Sequence, residues 1–169
     1  MKANLDPISI RPLTRGDEPI LWIMCYLAIH VPPGEPPPPL NIVFRPEIAK
    51  YVRGWGQADD FGFAAFDEES LPVGAVWLRL LTGKNRGYGW VNDQTPELSI
   101  ALLPEYRGRG IGTRLMQYTL DEAQRRCAAV SLSVSRGNPA EKLYRRFGFR
   151  VVGQDDSSWI MLHTFKTDQ

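Results

Sequence analysis

The sequence has little of the residue types that bind metals or form disulfide frameworks. Only two cysteines, Cys25 and Cys127, and two histidines, His30 and His163, occur among 169 residues. A zinc site or a disulfide framework needs more such residues at tighter spacing. We therefore predict that the protein binds no metal, and we interpret both cysteines as buried, reduced thiols of a cytoplasmic protein.

Long apolar runs and an excess of one charge are also missing. The most apolar stretch, residues 20–31, is interrupted by Trp22, Tyr26 and His30, and it falls short of the ~18 apolar residues that suggest a membrane span. An early Asp6 and the lack of a cleavage site argue against a signal peptide. The net charge of +1 argues against a strongly acidic partner such as duplex DNA. We predict no membrane and no nucleic-acid partner.

The length and composition are those of an ordinary globular domain. With 43% hydrophobic and 23% charged residues, a chain of this size can bury a sufficient core by itself. We therefore predict a single domain over residues 1–169.

The segment 31–40 holds six of the fourteen prolines, which favours an extended polyproline II path. It is either a stiff loop within the domain or a ligand for an SH3-type module.

Hydrophobic periodicity predicts strands and helices that alternate along the chain. An α/β (α+β) fold with helices packed on a central sheet follows from this order. The asparagine and proline of Asn138-Pro-Ala are typical of a helix start, and Asp17 is placed to cap an earlier helix. The predicted strands are 8–13, 62–66, 73–81, 98–103, 130–134, 149–152 and 158–163, and the predicted helices are 17–29, 46–53, 111–127 and 138–147.

A glycine-rich turn lies between the predicted strand 98–103 and the helix 111–127. Gly108, Gly110 and Gly112 allow a tight turn whose inner surface carries no side chains. The first N–H groups of the helix lack intrahelical partners and carry the positive end of its dipole, so this turn can bind phosphate groups. Positive charge surrounds the turn, supplied by Arg107, Arg109 and Arg114.

Two common phosphate-binding motifs do not fit this turn. A Walker loop requires a lysine before its Ser/Thr, and here Gly112 directly precedes Thr113. The dinucleotide fingerprint G-x-G-x-x-G would need glycine at Thr113 or at Leu115. The next predicted strand, 130–134, also ends without an acidic residue for a ribose.

The turn does match another pattern. The segment Arg107-Gly-Arg-Gly-Ile-Gly resembles the Q/R-x-x-G-x-G/A pyrophosphate loop of the GNAT N-acetyltransferase superfamily. Asn138-Pro-Ala, Leu143-Tyr144 and Phe147-Gly-Phe149 are similar to the second motif of that superfamily, in the same order. The resemblance covers residues 97–152. It implies the GNAT fold, a mixed and mostly antiparallel sheet of six or seven strands with about four helices.

The resemblance also implies a ligand and residue roles. Acetyl-CoA would be the cosubstrate, and its pantetheine arm would pair with backbone groups as an added strand does. The Tyr144 hydroxyl would face the sulfur and protonate the leaving thiolate. Each role has a simpler alternative: the turn only packs the helix, Asn138 only caps a helix, and the Tyr144 ring only packs on the sheet. The cofactor-binding residues implied are Leu102, Leu103, Arg107, Gly108, Arg109, Gly110, Ile111, Gly112, Thr113, Asn138 and Tyr144.

The acceptor implied by the resemblance is an amine, which must lose a proton before it attacks because its pKa is near ~10. We select Glu97 as the base, with an exposed carboxylate at a strand end as the equal alternative. Three aromatic residues, Trp22, Tyr26 and Trp90, are predicted to line the acceptor pocket, although most such side chains are core.

The predicted function is the direct transfer of acetyl from acetyl-CoA to a primary amine of a small molecule or a peptide terminus, by a monomer or a homodimer. One alternative is a non-catalytic module or sensor that binds acyl-CoA. Another is an interaction protein that uses the proline-rich segment.

Overall fold

The computed structural model describes residues 7–166. Seven strands form one sheet in the order β1-β2-β3-β4-β5-β7-β6. Within these residues only β4 and β5 pair in parallel, and the other neighbours are antiparallel. The predicted mixed, mostly antiparallel sheet is confirmed. The strands are β1 (Ser9–Pro12), β2 (Phe61–Phe66), β3 (Pro72–Arg79), β4 (Glu97–Leu102), β5 (Ala129–Ser135), β6 (Arg150–Gln154) and β7 (Ser158–Thr164).

Four α-helices occur in the described part of the chain, as predicted: α1 (Glu18–Ala28), α2 (Pro46–Ala49), α3 (Ile111–Arg126) and α4 (Ala140–Arg146). The second helix is shorter than the predicted 46–53. Residues 50–54 continue it as hydrogen-bonded turns, and Gly54 then adopts a left-handed backbone with φ of 75°. Because only glycine takes that conformation at low cost, the chain leaves the helical path there.

The side chain of Asp17 does not cap α1, contrary to the sequence prediction. Asp17 occupies the N-cap position without a side-chain bond to the helix. Its carboxylate instead pairs with Arg11, Nη1 to Oδ2 2.7 Å, and accepts from the Thr14 N–H at 2.7 Å. These bonds lower the pKa of Asp17, with the Arg11 hydrogen bond as the largest cause. The carboxylate therefore binds a charged partner outside the helix instead of the first N–H groups of α1.

Apolar layers lie on both faces of the sheet. On one face α3 packs its buried stripe, which includes Leu115 and Met116, against strand residues such as Val76 and Leu132. On the other face α1 packs against residues that include Trp77. The strands at the centre are therefore buried on both sides, which is typical of a sheet between helical layers.

The proline-rich segment is a loop between α1 and a 3₁₀ turn at Leu40–Phe44. Residues 32–37 are exposed, and the loop is anchored where the Tyr26 hydroxyl donates to the Pro38 carbonyl at 2.7 Å. The loop interpretation is confirmed. Since most of the segment faces solvent, its use as a ligand for an SH3-type module stays a prediction.

Candidate active site

In the described part of the chain, strands β4 and β5 pair only where β4 begins. Glu97 is the one β4 residue registered with β5, opposite Ser131, and the Ser131 N–H donates to the Pro96 carbonyl at 3.0 Å. Beyond this point the structure shows no further pairing between the two strands within residues 7–166. The parallel strands therefore splay apart and leave a cleft that opens toward Leu102 and the glycine turn.

Two residues of β4 direct backbone groups into this cleft. The Leu103 N–H donates to the Val73 carbonyl at 2.9 Å, continuing the ladder between β3 and β4. Because successive residues of a strand point their backbone groups to opposite edges, Ile100 and Leu102 face β5 across the gap. Their N–H and C=O groups have no β5 partner there.

Leu103 does not offer the free backbone groups that the sequence analysis assigned to it. Its N–H is used by Val73, and its carbonyl accepts from the Tyr106 N–H at 2.9 Å. Leu103 therefore has no unused N–H, whereas Leu102 and Ile100 have backbone groups that face the gap. The alternation of a strand could have predicted this pair, because residues 100 and 102 direct their backbone groups to the same edge. The contacts of Leu102 and Leu103 with a cofactor stay predictions.

The glycine turn lies after the end of β4 and forms the start of α3. Gly108 and Gly110 have φ of 75° and 80°, and no atom lies within 4 Å of an added Cβ at either position. Gly110 caps α3 without any side-chain bond. The Arg114 N–H donates to the Gly110 carbonyl at 3.2 Å, so the preceding N–H groups have no acceptor within the helix. The open surface, free amides and positive dipole end suit a phosphate group.

The three arginines near this turn have different surroundings. The Arg114 guanidinium donates to the Ile8 carbonyl at 3.2 Å, which directs it toward the residue before β1. The Arg109 guanidinium carbon lies 5.0 Å from the centre of the Tyr106 ring, and Arg107 is exposed. Arg107 and Arg109 therefore remain the cations nearest in sequence to the two left-handed glycines.

Asn138 holds the start of α4. Its Oδ1 accepts from the Ala140 N–H at 3.0 Å, and its carbonyl accepts from the Glu141 N–H at 3.1 Å. The capping role predicted from Asn138-Pro-Ala is confirmed in substance, although α4 itself begins two residues later. The contact between Asn138 and a cofactor arm stays a prediction.

Tyr144 lies on α4 and is 8% exposed. Its ring packs edge-on against Phe149, with ring centres 6.1 Å apart. The hydroxyl makes no hydrogen bond within the described residues, and burial raises its pKa above the ordinary value of 10.0. The packing role of the ring is confirmed, and the phenol keeps its proton at neutral pH.

Glu97 is 4% exposed, so the interpretation as an exposed carboxylate at a strand end is wrong. Its Oε1 accepts a hydrogen bond from the Gly89 N–H, and its Oε2 has no hydrogen-bond partner of normal geometry among the described residues. Burial raises the pKa of Glu97 to about 7, while the neighbouring Tyr51 hydroxyl and the Gly89 N–H favour the charged form. A carboxyl group with this pKa can exchange protons near neutral pH.

Tyr51, whose hydroxyl lies beside Glu97, was not predicted from the sequence. Tyr51 follows α2 closely, whereas Glu97 begins β4, and only the tertiary structure brings them together. Gly87 and Gly89 were a partial indication in the sequence that the chain packs closely here, because a Cβ on either residue would collide with the Glu97 carboxylate.

The predicted acceptor aromatics lie on two segments, Trp22 and Tyr26 on α1 and Trp90 between β3 and β4. The Trp22 Nε1 donates to Glu18 Oε1 at 3.2 Å, and the Tyr26 hydroxyl is bound to Pro38. Trp90 directly follows Gly89, donates to Asp93 Oδ1 at 3.0 Å and has the Arg86 guanidinium 3.6 Å from its ring centre. Of the three, Trp90 alone adjoins a residue that contacts Glu97, and all three remain predictions as acceptor contacts.

The cysteines lack the features of nucleophiles. Cys25 is buried, and burial raises the pKa of its thiol to about 12. Cys127 is half-buried, not fully buried as predicted, and burial raises the pKa of its thiol as well.

Among residues 7–166 no three His, Cys, Asp or Glu side chains cluster as metal ligands would. None of the helices in this range has the length and apolar character needed to cross a membrane.

Solved structures share this fold at low sequence identity. The PaiA N-acetyltransferase from Thermoplasma acidophilum, solved with coenzyme A, is 21% identical with a TM-score of 0.65, and the match covers 94% of this chain and 99% of that one. The ribosomal-protein-S18-alanine N-acetyltransferase from Escherichia coli is 18% identical with a TM-score of 0.66, and the match covers 96% and 97%. Mutant forms of the spermidine/spermine N-acetyltransferase SpeG from Vibrio cholerae are 20% identical with a TM-score of 0.58, and the match covers 94% and 95%.

Sequence comparison gives the family. No curated protein matches the chain. The sequence model described as the acetyltransferase (GNAT) family matches residues 27–149, a range that contains the β4–β5 cleft, the glycine turn and α4. The predicted resemblance is confirmed, and the chain belongs to the GNAT acetyltransferase family.

Proposed function

We propose that this protein, acting as one domain, transfers acetyl from acetyl-CoA directly to a primary amine of a small molecule or a peptide terminus. The observation that carries the proposal is the cleft between β4 and β5. It begins at a buried carboxyl group, Glu97, and leads along unpaired β4 backbone toward the glycine turn. The proposal thus places a proton acceptor and an anion site at opposite ends of one cleft.

The residues along the cleft fit the parts of acetyl-CoA. The amides from Arg107 to Thr113 and the nearby guanidinium groups would hold the pyrophosphate. Backbone groups of Ile100 and Leu102 would pair with the pantetheine amides as a neighbouring strand does. Asn138 has its Oδ1 bound to the Ala140 N–H, so its amide nitrogen is the group that would reach the cofactor arm.

In this proposal Glu97 and Tyr144 move the protons. Glu97 takes a proton from the acceptor ammonium group, directly or through water. As cosubstrate, acetyl-CoA supplies a thioester carbon to which the amine nitrogen forms a C–N bond while the C–S bond breaks. Tyr144 protonates the departing sulfur, and the second nitrogen proton restores the phenol. The proton on Glu97 leaves to solvent, so one proton is released for each amide formed.

The pKa values support these two roles. An alkylammonium with a pKa near ~10 gives its proton more readily to a carboxylate whose pKa is about 7 than to one with the ordinary value of 4.5. The phenol of Tyr144 stays protonated because burial raises its pKa. Transfer without an acetylated cysteine is supported by the raised pKa of both thiols, since the thiolate is the nucleophile.

The experiment that tests the proposal measures thiol release from acetyl-CoA with a panel of primary amines. The panel contains polyamines, aminoglycosides and peptides with free N-termini, and coenzyme A binding is measured in parallel by calorimetry. We expect at least one amine to be acetylated, with rates reduced in Tyr144→Phe and Glu97→Gln while binding persists. Binding without acetylation of any amine by the wild type would favour a non-catalytic acyl-CoA module, and the absence of binding would overturn the proposal.

A further inference from the structure

The segment between β3 and β4, residues 80–96, closes over the carboxylate of Glu97. Gly89 donates its N–H to Glu97 Oε1. An added Cβ on Gly89 would lie 2.7 Å from the Leu132 carbonyl carbon and 2.8 Å from the Ser133 nitrogen. The turn Gly87–Gly89 therefore sits on β5 at the point where β4 and β5 separate, and only glycine fits so closely.

Tyr51 connects this turn to the carboxylate from the other side. The Tyr88 N–H donates to the Tyr51 hydroxyl oxygen at 2.7 Å, and the two rings stack with centres 6.4 Å apart and planes 11° apart. A phenol that accepts one hydrogen bond still has its own proton to donate. The carboxylate of Glu97 lies beside it, because an added Cβ on Gly87 would collide with both the Glu97 Oε2 and the Tyr51 hydroxyl. Burial together with that negative charge raises the pKa of Tyr51, so the hydroxyl remains a donor.

The charged side chains near Glu97 form their hydrogen bonds with other partners. Lys50, on the same segment as Tyr51, donates its Nζ to the Arg86 carbonyl at 2.6 Å and lowers the pKa of Glu97 only as a charge nearby. Arg79 stands opposite Glu97 in the β3–β4 register, but its guanidinium is bound to Asp60 and to main-chain carbonyls. On β5, Ser131 lies opposite Glu97, and its hydroxyl has no hydrogen-bond partner among the described residues.

We propose that Tyr51 is a positioning residue for acetyl transfer: its hydroxyl, held by the Gly87–Gly89 turn, orients the Glu97 carboxyl group and stabilises its charged form. Gly89 binds Oε1, and the Tyr51 hydroxyl lies beside Oε2. This inference rests on the proposed role of Glu97 as the base. It adds a residue from the α2 segment, outside the glycine turn and α4, to the machinery of the site.

The test uses Tyr51→Phe in the full chain, which keeps the ring and its stacking on Tyr88. Removal of a hydroxyl that stabilises the charged carboxylate should raise the pKa of Glu97 by about one unit. We expect carbon-detected NMR of the Glu97 carboxyl group to show this shift. The acidic limb of the pH profile of kcat/KM should move to higher pH by the same amount.

Tyr118→Phe is the matched control, because Tyr118 is exposed on α3 and its ring packs against Phe63, not against Glu97. It should leave both the titration and the pH profile of kcat/KM unchanged. An unmoved Glu97 titration in Tyr51→Phe would overturn the inference, as would a shifted titration with an unmoved acidic limb. The titration needs no substrate, so failure of the proposed function would appear separately, as a wild type that acetylates no amine.

Discussion

Arg79 and Asp60 form an ion pair that is almost fully buried. The Arg79 Nε lies 3.1 Å from the Asp60 Oδ1, and the two side chains are 8% and 3% exposed. The same guanidinium donates to the carbonyls of Lys50 and Arg53, at 3.0 and 2.7 Å. Arg79 therefore ties the end of β3 to the segment that carries Tyr51.

We expect Asp60→Ala to destabilise the protein strongly. Removal of one partner of a buried pair leaves the Arg79 charge uncompensated, which costs about 3–5 kcal/mol. Asp60 also accepts the N–H groups of Gly56 and Gln57, so the substitution removes those bonds as well. Urea unfolding measures the effect, and exposed Asp59→Ala is the control with a change within about 0.5 kcal/mol. Equal losses in both variants would contradict the prediction.

Gly110→Ala should weaken coenzyme A binding by about 5–30-fold. The residue has φ of 80°, and a side chain in that left-handed region costs roughly 1–2 kcal/mol. The turn would relax and misdirect the first amides of α3. Calorimetric titration with coenzyme A measures the change. Gly34→Ala, at φ of 85° in the exposed proline-rich loop, carries the same strain away from the turn, and its binding should match the wild type.

Tyr144→Phe should separate catalysis from stability. The hydroxyl has no hydrogen bond within the described residues, whereas the ring packs on Phe149. Loss of a hydroxyl that makes no hydrogen bond to the protein therefore leaves the free energy of unfolding nearly unchanged. Loss of the acid should lower kcat by about 10²–10⁴-fold. Unfolding curves and steady-state kinetics on the same preparation check both statements, and an unchanged kcat would exclude the acid role.

Glu97 should make the protein less stable as the pH rises from about 4.5 to about 7. Its folded-state pKa is raised from 4.5 to about 7, so the folded protein holds a proton that the unfolded chain releases in this interval. The expected slope is at most about 1.4 kcal/mol per pH unit, and it ends above the folded-state pKa. Denaturant unfolding at several pH values measures the slope.

Glu97→Gln is the matched variant for that measurement. It keeps an oxygen for the Gly89 N–H and removes the titration. The free energy of unfolding of the variant should therefore increase relative to that of the wild type as the pH rises to about 7, and the difference should stay constant above that pH. Parallel stability curves for the two proteins would contradict the prediction.

The elements that follow from periodicity were predictable because each depends on nearby residues. The buried stripe of α3 repeats at helical spacing, and Gly148 ends α4 with a left-handed φ of 87°. The prediction from the helix pattern was wrong where residues before the helix compete for the same side chain. Asp17 stands at a helix start, yet Arg11 and Thr14 bind its carboxylate, and neither contact is visible in the helix pattern.

The glycine turn, the Asn-Pro-Ala cap and the order of strands and helices were determined by the sequence itself, because backbone conformation at glycine and proline and the period of apolar residues are local properties. Only the tertiary structure decided that Glu97 is buried, that Tyr51 reaches it and that Leu103 has no free amide. These outcomes depend on which strand edge pairs with which and on how a loop packs over a sheet. Such contacts join residues far apart in the chain, and no local pattern encodes them.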